Sequence, residues 1–209
     1  MEVFWFMFCS MIETLAIYSL IMSLFRFKTS EYIWQALFVM LFANLQSFIL
    51  RNELSLAFVA PLITIVIFIF LFTTVIKVPV LWSATCTIIA YVLYALIQTV
   101  YVMALFESVE EVQTPGTDAY VLQLISGATA LLLSCLMYRF GIGFSFDFEK
   151  LRFKFEHIVM TVLIVTVLLL VSVIFYYNRI WINIIFFAIT FGLFIYYMIR
   201  TEEKDVNDD

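Results

Sequence analysis

The chain has 209 residues, of which 65% are hydrophobic and 13% are charged. Soluble domains are about half apolar and about a quarter charged, so this composition excludes a soluble globular domain and predicts a membrane protein. The net charge of −5 comes mainly from residues 107–118 and from the tail beginning at residue 202, which excludes a basic surface for nucleic acid.

Seven long apolar runs predict transmembrane helices, because about 20 helical residues cross the hydrocarbon core of a bilayer. They cover residues 3–25, 32–50, 55–76, 79–105, 119–139, 158–177 and 180–199. Only Asn178 and Arg179 separate the last two runs, so six spans are the alternative if no tight turn forms there. The predicted fold is an all-α polytopic bundle over residues 1–200, followed by an acidic cytoplasmic tail at 201–209.

The distribution of Lys and Arg predicts the orientation, because cytoplasmic loops carry an excess of both residues. If the N-terminus lies outside, nine of the eleven basic residues fall on the inner side. This inner set contains Arg26, Lys28, Lys77, Arg139, Lys150, Arg152, Lys154, Arg200 and Lys204, and the outer set contains Arg51 and Arg179. The prediction is therefore a multi-pass protein of a bacterial cell membrane, with the N-terminus out and the C-terminus in.

The first span carries an ionisable residue, Glu13, near its centre. A charge at mid-bilayer is costly, so such residues usually face the bundle interior and mark a functional site by default. Cys9, Ser10, Ala16 and Ser23 share or border the face of Glu13, and small residues let a neighbouring helix come close. Two interpretations remain open: a ligand- or proton-binding carboxyl, and a structural carboxyl bonded to a neighbour.

Polar side chains in three later spans follow helical spacing. Span two carries Asn44, and span four carries a stripe of Thr87, Tyr91, Tyr94, Gln98 and Tyr101. The stripe fits either the wall of a cavity or packing between helices, because each buried Tyr hydroxyl needs a partner. Span five presents Gln123, Gly127, Ala130 and Ser134 on one face, which predicts close packing.

In the chosen orientation, several of these groups fall in the outer half of the bundle, with Glu13 at its floor. This asymmetry predicts an amphipathic pocket that opens to the outside. The predicted ligand-binding residues are Glu13, Asn44, Tyr94, Gln98, Tyr101 and Gln123.

Residues 144–156, between spans five and six, predict an interfacial amphipathic helix. Its apolar face consists of Phe144, Phe148, Leu151 and Phe155, and the predicted membrane-interface residues are Lys150, Arg152 and Lys154. Cationic side chains there would face anionic headgroups. An ordinary juxtamembrane loop with anchoring aromatics is the alternative.

Patterns of catalytic and metal-binding residues are missing from the sequence. One His and three widely separated Cys cannot build a usual zinc site, and no HExxH, GxSxG or P-loop pattern occurs. We therefore predict a non-enzymatic protein without a cofactor or metal.

Several short motifs carry a resemblance to known membrane proteins. They are Glu-Thr-Leu-Ala-Ile-Tyr at 13–18, Leu-Phe-Arg-Phe at 24–27, Asn-Leu-Gln-Ser-Phe at 44–48, Leu-Arg at 50–51, Glu-Leu at 53–54 and Phe-Asp-Phe-Glu-Lys-Leu-Arg-Phe-Lys at 146–154. With them the chain resembles a group of polytopic membrane proteins of Gram-positive bacteria. That group is similar in layout to the membrane half of agr-type peptide quorum-sensing histidine kinases. The resemblance implies six or seven spans, a cytoplasmic C-terminus and a role in signal transduction.

The leading hypothesis is a sensor-like membrane protein with an outward-facing pocket for a small apolar or peptide ligand. One alternative is a small proton-coupled transporter, or a transporter subunit, in which Glu13 takes up the proton. Another is a structural subunit of a membrane complex. The expected partners are the lipid bilayer, a small peptide ligand and a membrane partner protein or second copy of the chain, with no nucleic acid.

Overall fold

A computed structural model of the chain describes residues 2–52, 59–105, 117–144, 162, 164, 166–167 and 180–207. Over these residues it is helical without strands. The helices are α1 (Glu2–Leu24), α2 (Ile33–Asn52), α3 (Ala60–Thr74), α4 (Val80–Leu105), α5 (Thr117–Phe140) and α6 (Ile180–Asn207). The fold prediction is therefore confirmed at the level of an all-α protein.

Four of the described helices, α1, α2, α4 and α5, are long and apolar enough to cross a membrane. At 15 residues, α3 reaches only about 22 Å, which is shorter than a hydrocarbon core of about 30 Å. It begins next to Pro61, which suits the first helical turn because a proline has no N–H to leave unbonded there. The preceding part of the predicted third span, residues 55–58, lies outside the described residues.

The last described helix is longer than predicted. α6 spans 28 residues, or about 42 Å, and includes positions 201–207 of the predicted tail. Most of the predicted sixth span lies outside the described residues. Its described positions, Val162, Ile164, Thr166 and Val167, are helical, and Ile164 and Val167 are buried in the core.

The core is organised around α1. In its most apolar stretch 67% of the residues are buried, against 28% to 39% in the other helices of spanning length. α1 packs against α5, α2 and α4, and its buried side chains join those of the other helices in one cluster. Large apolar side chains on the opposite face of α2, such as Trp34 and Phe38, are exposed, as expected of a surface that faces lipid.

Contacts of α1 give the directions of two of its neighbours. Phe6 meets Phe48 with ring centroids 5.3 Å apart, and Ser10 bonds to Asn44, so α1 and α2 are antiparallel. Glu13 bonds to Gln123, and Ser19, further along α1, bonds to Ser134, further along α5. The two helices are therefore parallel.

Small residues allow α1 and α5 to approach closely. A Cβ on Gly127 would lie 3.0 Å from Cγ2 of Ile12, and the Ser134 hydroxyl donates to the Ser19 carbonyl at 2.6 Å. Gln123, Gly127, Ala130 and Ser134 are all buried. The predicted close-packing face of the fifth span is therefore confirmed.

The segment after α5 is anchored on the C-terminal end of α1. Gly141 adopts a positive φ of 65°, and the Phe144 N–H then donates to the Leu24 carbonyl at 2.7 Å. A Cβ on Gly143 would lie 2.6 Å from the Ser23 carbonyl oxygen and 2.9 Å from that of Leu24. Only glycine fits this approach, because backbone atoms on both sides leave no room for a side chain.

Candidate functional site

The carboxyl of Glu13 faces a neighbouring helix. Its Oε2 accepts a hydrogen bond of 3.0 Å from Nε2 of Gln123, which joins the middle of α1 to the second turn of α5. Glu13 is half-buried, whereas Gln123 is only 9% exposed. Glu13 and Gln123, the first and last of the six predicted ligand-binding residues in the sequence, are thus in direct contact.

Further polar groups surround this pair. Arg51 at the end of α2 and Tyr91 and Tyr94 of α4 all lie within electrostatic reach of Glu13. Arg51 is exposed, and within the described chain its guanidinium makes no direct ion pair with the Glu13 carboxyl. Three helices besides α1 therefore contribute to the environment of this one carboxyl.

One acceptor beside Glu13 has no donor. Oε1 of Gln123 is buried and, among the described residues, has no hydrogen-bond partner. It belongs to the amide whose nitrogen donates to Glu13, so it lies beside the carboxyl. A buried polar atom without a partner costs about 1–3 kcal/mol, and such an atom in a native structure needs an explanation.

Asn44 joins α1 and α2. Its Oδ1 accepts from the Ser10 hydroxyl at 2.9 Å, and its Nδ2 donates to Oγ1 of Thr14 at 3.2 Å. The side chain is 1% exposed. Because both ends of the amide are bonded within the protein and the side chain is buried, Asn44 fixes a contact between α1 and α2.

Two tyrosines of the predicted stripe bond to hydroxyls of α5. The Tyr94 hydroxyl lies 2.9 Å from Oγ of Ser126, and the Tyr101 hydroxyl lies 2.8 Å from Oγ1 of Thr129. Tyr94 is fully buried and Tyr101 is half-buried. At these positions the stripe forms a polar contact between helices, which was the packing alternative of the sequence analysis.

Gln98 and Tyr91, on the same side of α4, are both half-buried. Gln98 makes no hydrogen bond to the described part of the chain. Like Glu13, these two side chains keep uncovered surface that a small molecule can reach.

The sequence analysis did not assign Arg51 or Tyr91 to the site. Both carried a signal: Arg51 follows Asn44 by seven residues, close to two helical turns, and Tyr91 belongs to the helical stripe of span four. Ser126 and Thr129 were also not assigned, although they follow Gln123 at three-residue steps on the same helix.

Several other predicted positions lie outside the residues that the structure describes. Lys150, Arg152 and Lys154, with the rest of the proposed amphipathic segment after Phe144, lie outside the described residues. So does the acidic loop up to residue 116. In the described part of the chain no His, Cys, Asp and Glu side chains are grouped in threes as metal ligands would be.

None of the protein-family models, curated proteins or solved structures that were compared with this chain matches it. The resemblance to agr-type sensors, which depends on short motifs, therefore stays a prediction.

Proposed function

We propose that this chain is a non-enzymatic, receptor-like membrane protein that binds a small apolar or peptide ligand at the Glu13 carboxyl. One observation carries the proposal: within an apolar bundle, Glu13 bonds across helices to a buried amide, and that amide keeps an acceptor without a donor. An ionisable group inside a membrane bundle is expensive and marks a functional site by default.

The proposal includes seven membrane crossings, with the N-terminus outside a bacterial cell membrane. The antiparallel contact of α1 with α2 and the parallel contact of α1 with α5 are the directions expected of a first, second and fifth crossing. The excess of Lys and Arg on one side supports the orientation. Arg26 and Lys77 lie just beyond the C-terminal ends of α1 and α3, where cations interact favourably with the helix dipole.

The ligand would touch fewer of the predicted residues than the sequence suggested. Glu13, Gln123 and Gln98 retain free hydrogen-bonding atoms, and Tyr91 adds a half-buried phenol. Asn44, Tyr94 and Tyr101 instead bond to neighbouring helices and hold the walls in place.

Binding would act on the packing of α1. A ligand can shift a conformational equilibrium only by its different affinities for two states. α1 is the central helix, and Glu13 lies at its contact with α5, so a ligand bonded there would favour one arrangement of these two helices. The segment anchored on the end of α1 by Phe144 would carry that difference to the inner side.

The test is capture of small peptides from the medium of the producing bacterium by the purified protein in lipid nanodiscs, read by mass spectrometry. We expect Glu13→Gln and Gln98→Ala to lower the captured amount at least several-fold. Gln35→Ala is the matched control, since it truncates an exposed amide on α2. Capture that is equal in all variants, or absent from the wild type, would refute the proposal.

A proton-coupled transporter is the second candidate, because a carboxyl bonded to an amide can exchange donor and acceptor roles when it takes up a proton. Proteoliposomes separate the two functions. Solute uptake that follows an imposed pH gradient and is abolished by Glu13→Gln would favour the transporter over the receptor.

A further inference from the structure

Two hydrogen-bond acceptors at the contact of Glu13 with Gln123 have no donor in the described chain. Glu13 accepts its hydrogen bond at Oε2, and within the described residues its Oε1 accepts none. Oε1 of Gln123 is buried beside it, also without a partner. Two neighbouring acceptors, one of them a carboxyl oxygen, are complementary to a group that carries several N–H bonds.

Arg51 does not supply that group. It lies within electrostatic reach of Glu13 but is exposed and forms no direct pair with the carboxyl in the described chain. Cys9, Tyr91 and Tyr94 also lie within electrostatic reach of Glu13, but each has one donor hydrogen at most, and the Tyr94 hydroxyl is already bonded to Ser126. None of these groups donates to either acceptor in the described chain, so both acceptors can take a donor from a bound molecule.

We infer that the ligand carries a primary ammonium group on an apolar body, and that this ammonium bonds to Glu13 and to Oε1 of Gln123. This inference rests on the proposed function and names the chemical class of its ligand. An ammonium is compact and has three donors, so it can satisfy both acceptors at once. Its apolar body suits the surrounding bundle, whose core is formed by aliphatic and aromatic side chains.

The like charge of Arg51 should weaken this binding. The guanidinium and the ammonium would both lie within electrostatic reach of the same carboxyl, and like charges repel each other. Arg51→Gln should therefore raise the affinity for an amine, whereas a ligand bound through a carboxylate would lose affinity on the same substitution.

The experiment uses three probes that share one apolar body: 2-phenylethylamine, 2-phenylethanol and phenylacetate. Each is titrated at neutral pH into the full chain in nanodiscs, with empty nanodiscs as the blank. We expect saturable binding of the amine alone. Glu13→Gln or Gln123→Leu should weaken it by about tenfold to a hundredfold, the usual effect of losing a charge-assisted hydrogen bond. Gln35→Ala should leave it unchanged.

Other outcomes overturn the inference. Equal binding of the alcohol would mean a pocket without ammonium recognition, and no saturable binding of the amine would mean that the site does not take this group. In both cases, capture of a peptide that depends on Glu13 would still support the proposed receptor. Photolabelling of the wild type by 2-(4-azidophenyl)ethylamine needs no variant: labels on the helices around Glu13, α1, α4 or α5, support the inference, and labels confined to α3 and α6 contradict it.

Discussion

At the scale of single residues, several buried polar side chains bond to one another across helix contacts, and Asn44 is the clearest case. Both ends of its amide are bonded to α1, and its partners Ser10 and Thr14 are buried as well. Gln123 differs, because only its nitrogen is bonded. This difference separates residues that hold the fold from those that are available to a ligand.

Asn44→Ala should lower the free energy of unfolding by about 1–3 kcal/mol, because it leaves the Ser10 hydroxyl without its acceptor and Thr14 without a donor. Titration with SDS in bicelles, followed by circular dichroism, measures this loss. Gln35→Ala on the exposed side of the same helix should stay within about 0.5 kcal/mol of the wild type. An equal loss of unfolding free energy in both variants would contradict a stabilising role for the hydrogen bonds of Asn44.

At the scale of helices, the lengths of the apolar runs predicted the elements well. The fourth run was placed at 79–105 and the helix covers Val80–Leu105, while the fifth was placed at 119–139 and the helix covers Thr117–Phe140. Helical periodicity also identified the face of α5 that packs against α1. Pairings such as Tyr94 with Ser126 could not be predicted, because periodicity gives the face of a helix but not the helix that covers it.

The turn after α5 offers a test at this scale. Gly143→Ala should destabilise the protein by about 1–3 kcal/mol, because the new Cβ would meet two backbone carbonyls of α1 that cannot move independently. Gly192→Ala is the control: its Cβ would meet nothing within 4 Å, and an alanine inside α6 should be neutral or stabilising by up to about 1 kcal/mol. Thermal denaturation of the two variants side by side measures both effects. If both variants change the thermal stability equally, the close approach of the backbone at Gly143 does not contribute to stability.

At the scale of the whole molecule, the bundle has a central helix rather than a ring of equivalent ones. α1 meets α2, α4 and α5, and the carboxyl of Glu13 lies at one of those contacts. Exposed apolar side chains on α2 and α6 form the outer surface that lipid would cover. The proposed number of crossings comes from the lengths of the apolar runs, and the proposed orientation comes from the distribution of Lys and Arg. Packing within the bundle tests neither, so they need a separate experiment.

Impermeant thiol reagents can test that orientation in cells. In a background in which Cys9, Cys86 and Cys135 are replaced by Ala, Thr117→Cys at the start of α5 should be labelled from outside. Lys77→Cys, just beyond α3, should be labelled only after the membrane is permeabilised. The reverse pattern would invert the proposed topology, and with it the outward-facing site.

The most direct measurement of the central claim is a double-mutant cycle on the stability of the bundle, with Glu13→Ala and Gln123→Ala alone and combined. If the carboxyl bonds to the α5 amide inside the bundle, the two changes should be coupled by at least about 1 kcal/mol. The same cycle with Gln35→Ala in place of Gln123→Ala should be additive, since that amide is exposed on α2. Additivity of the Glu13 and Gln123 changes to within about 0.5 kcal/mol would contradict the account.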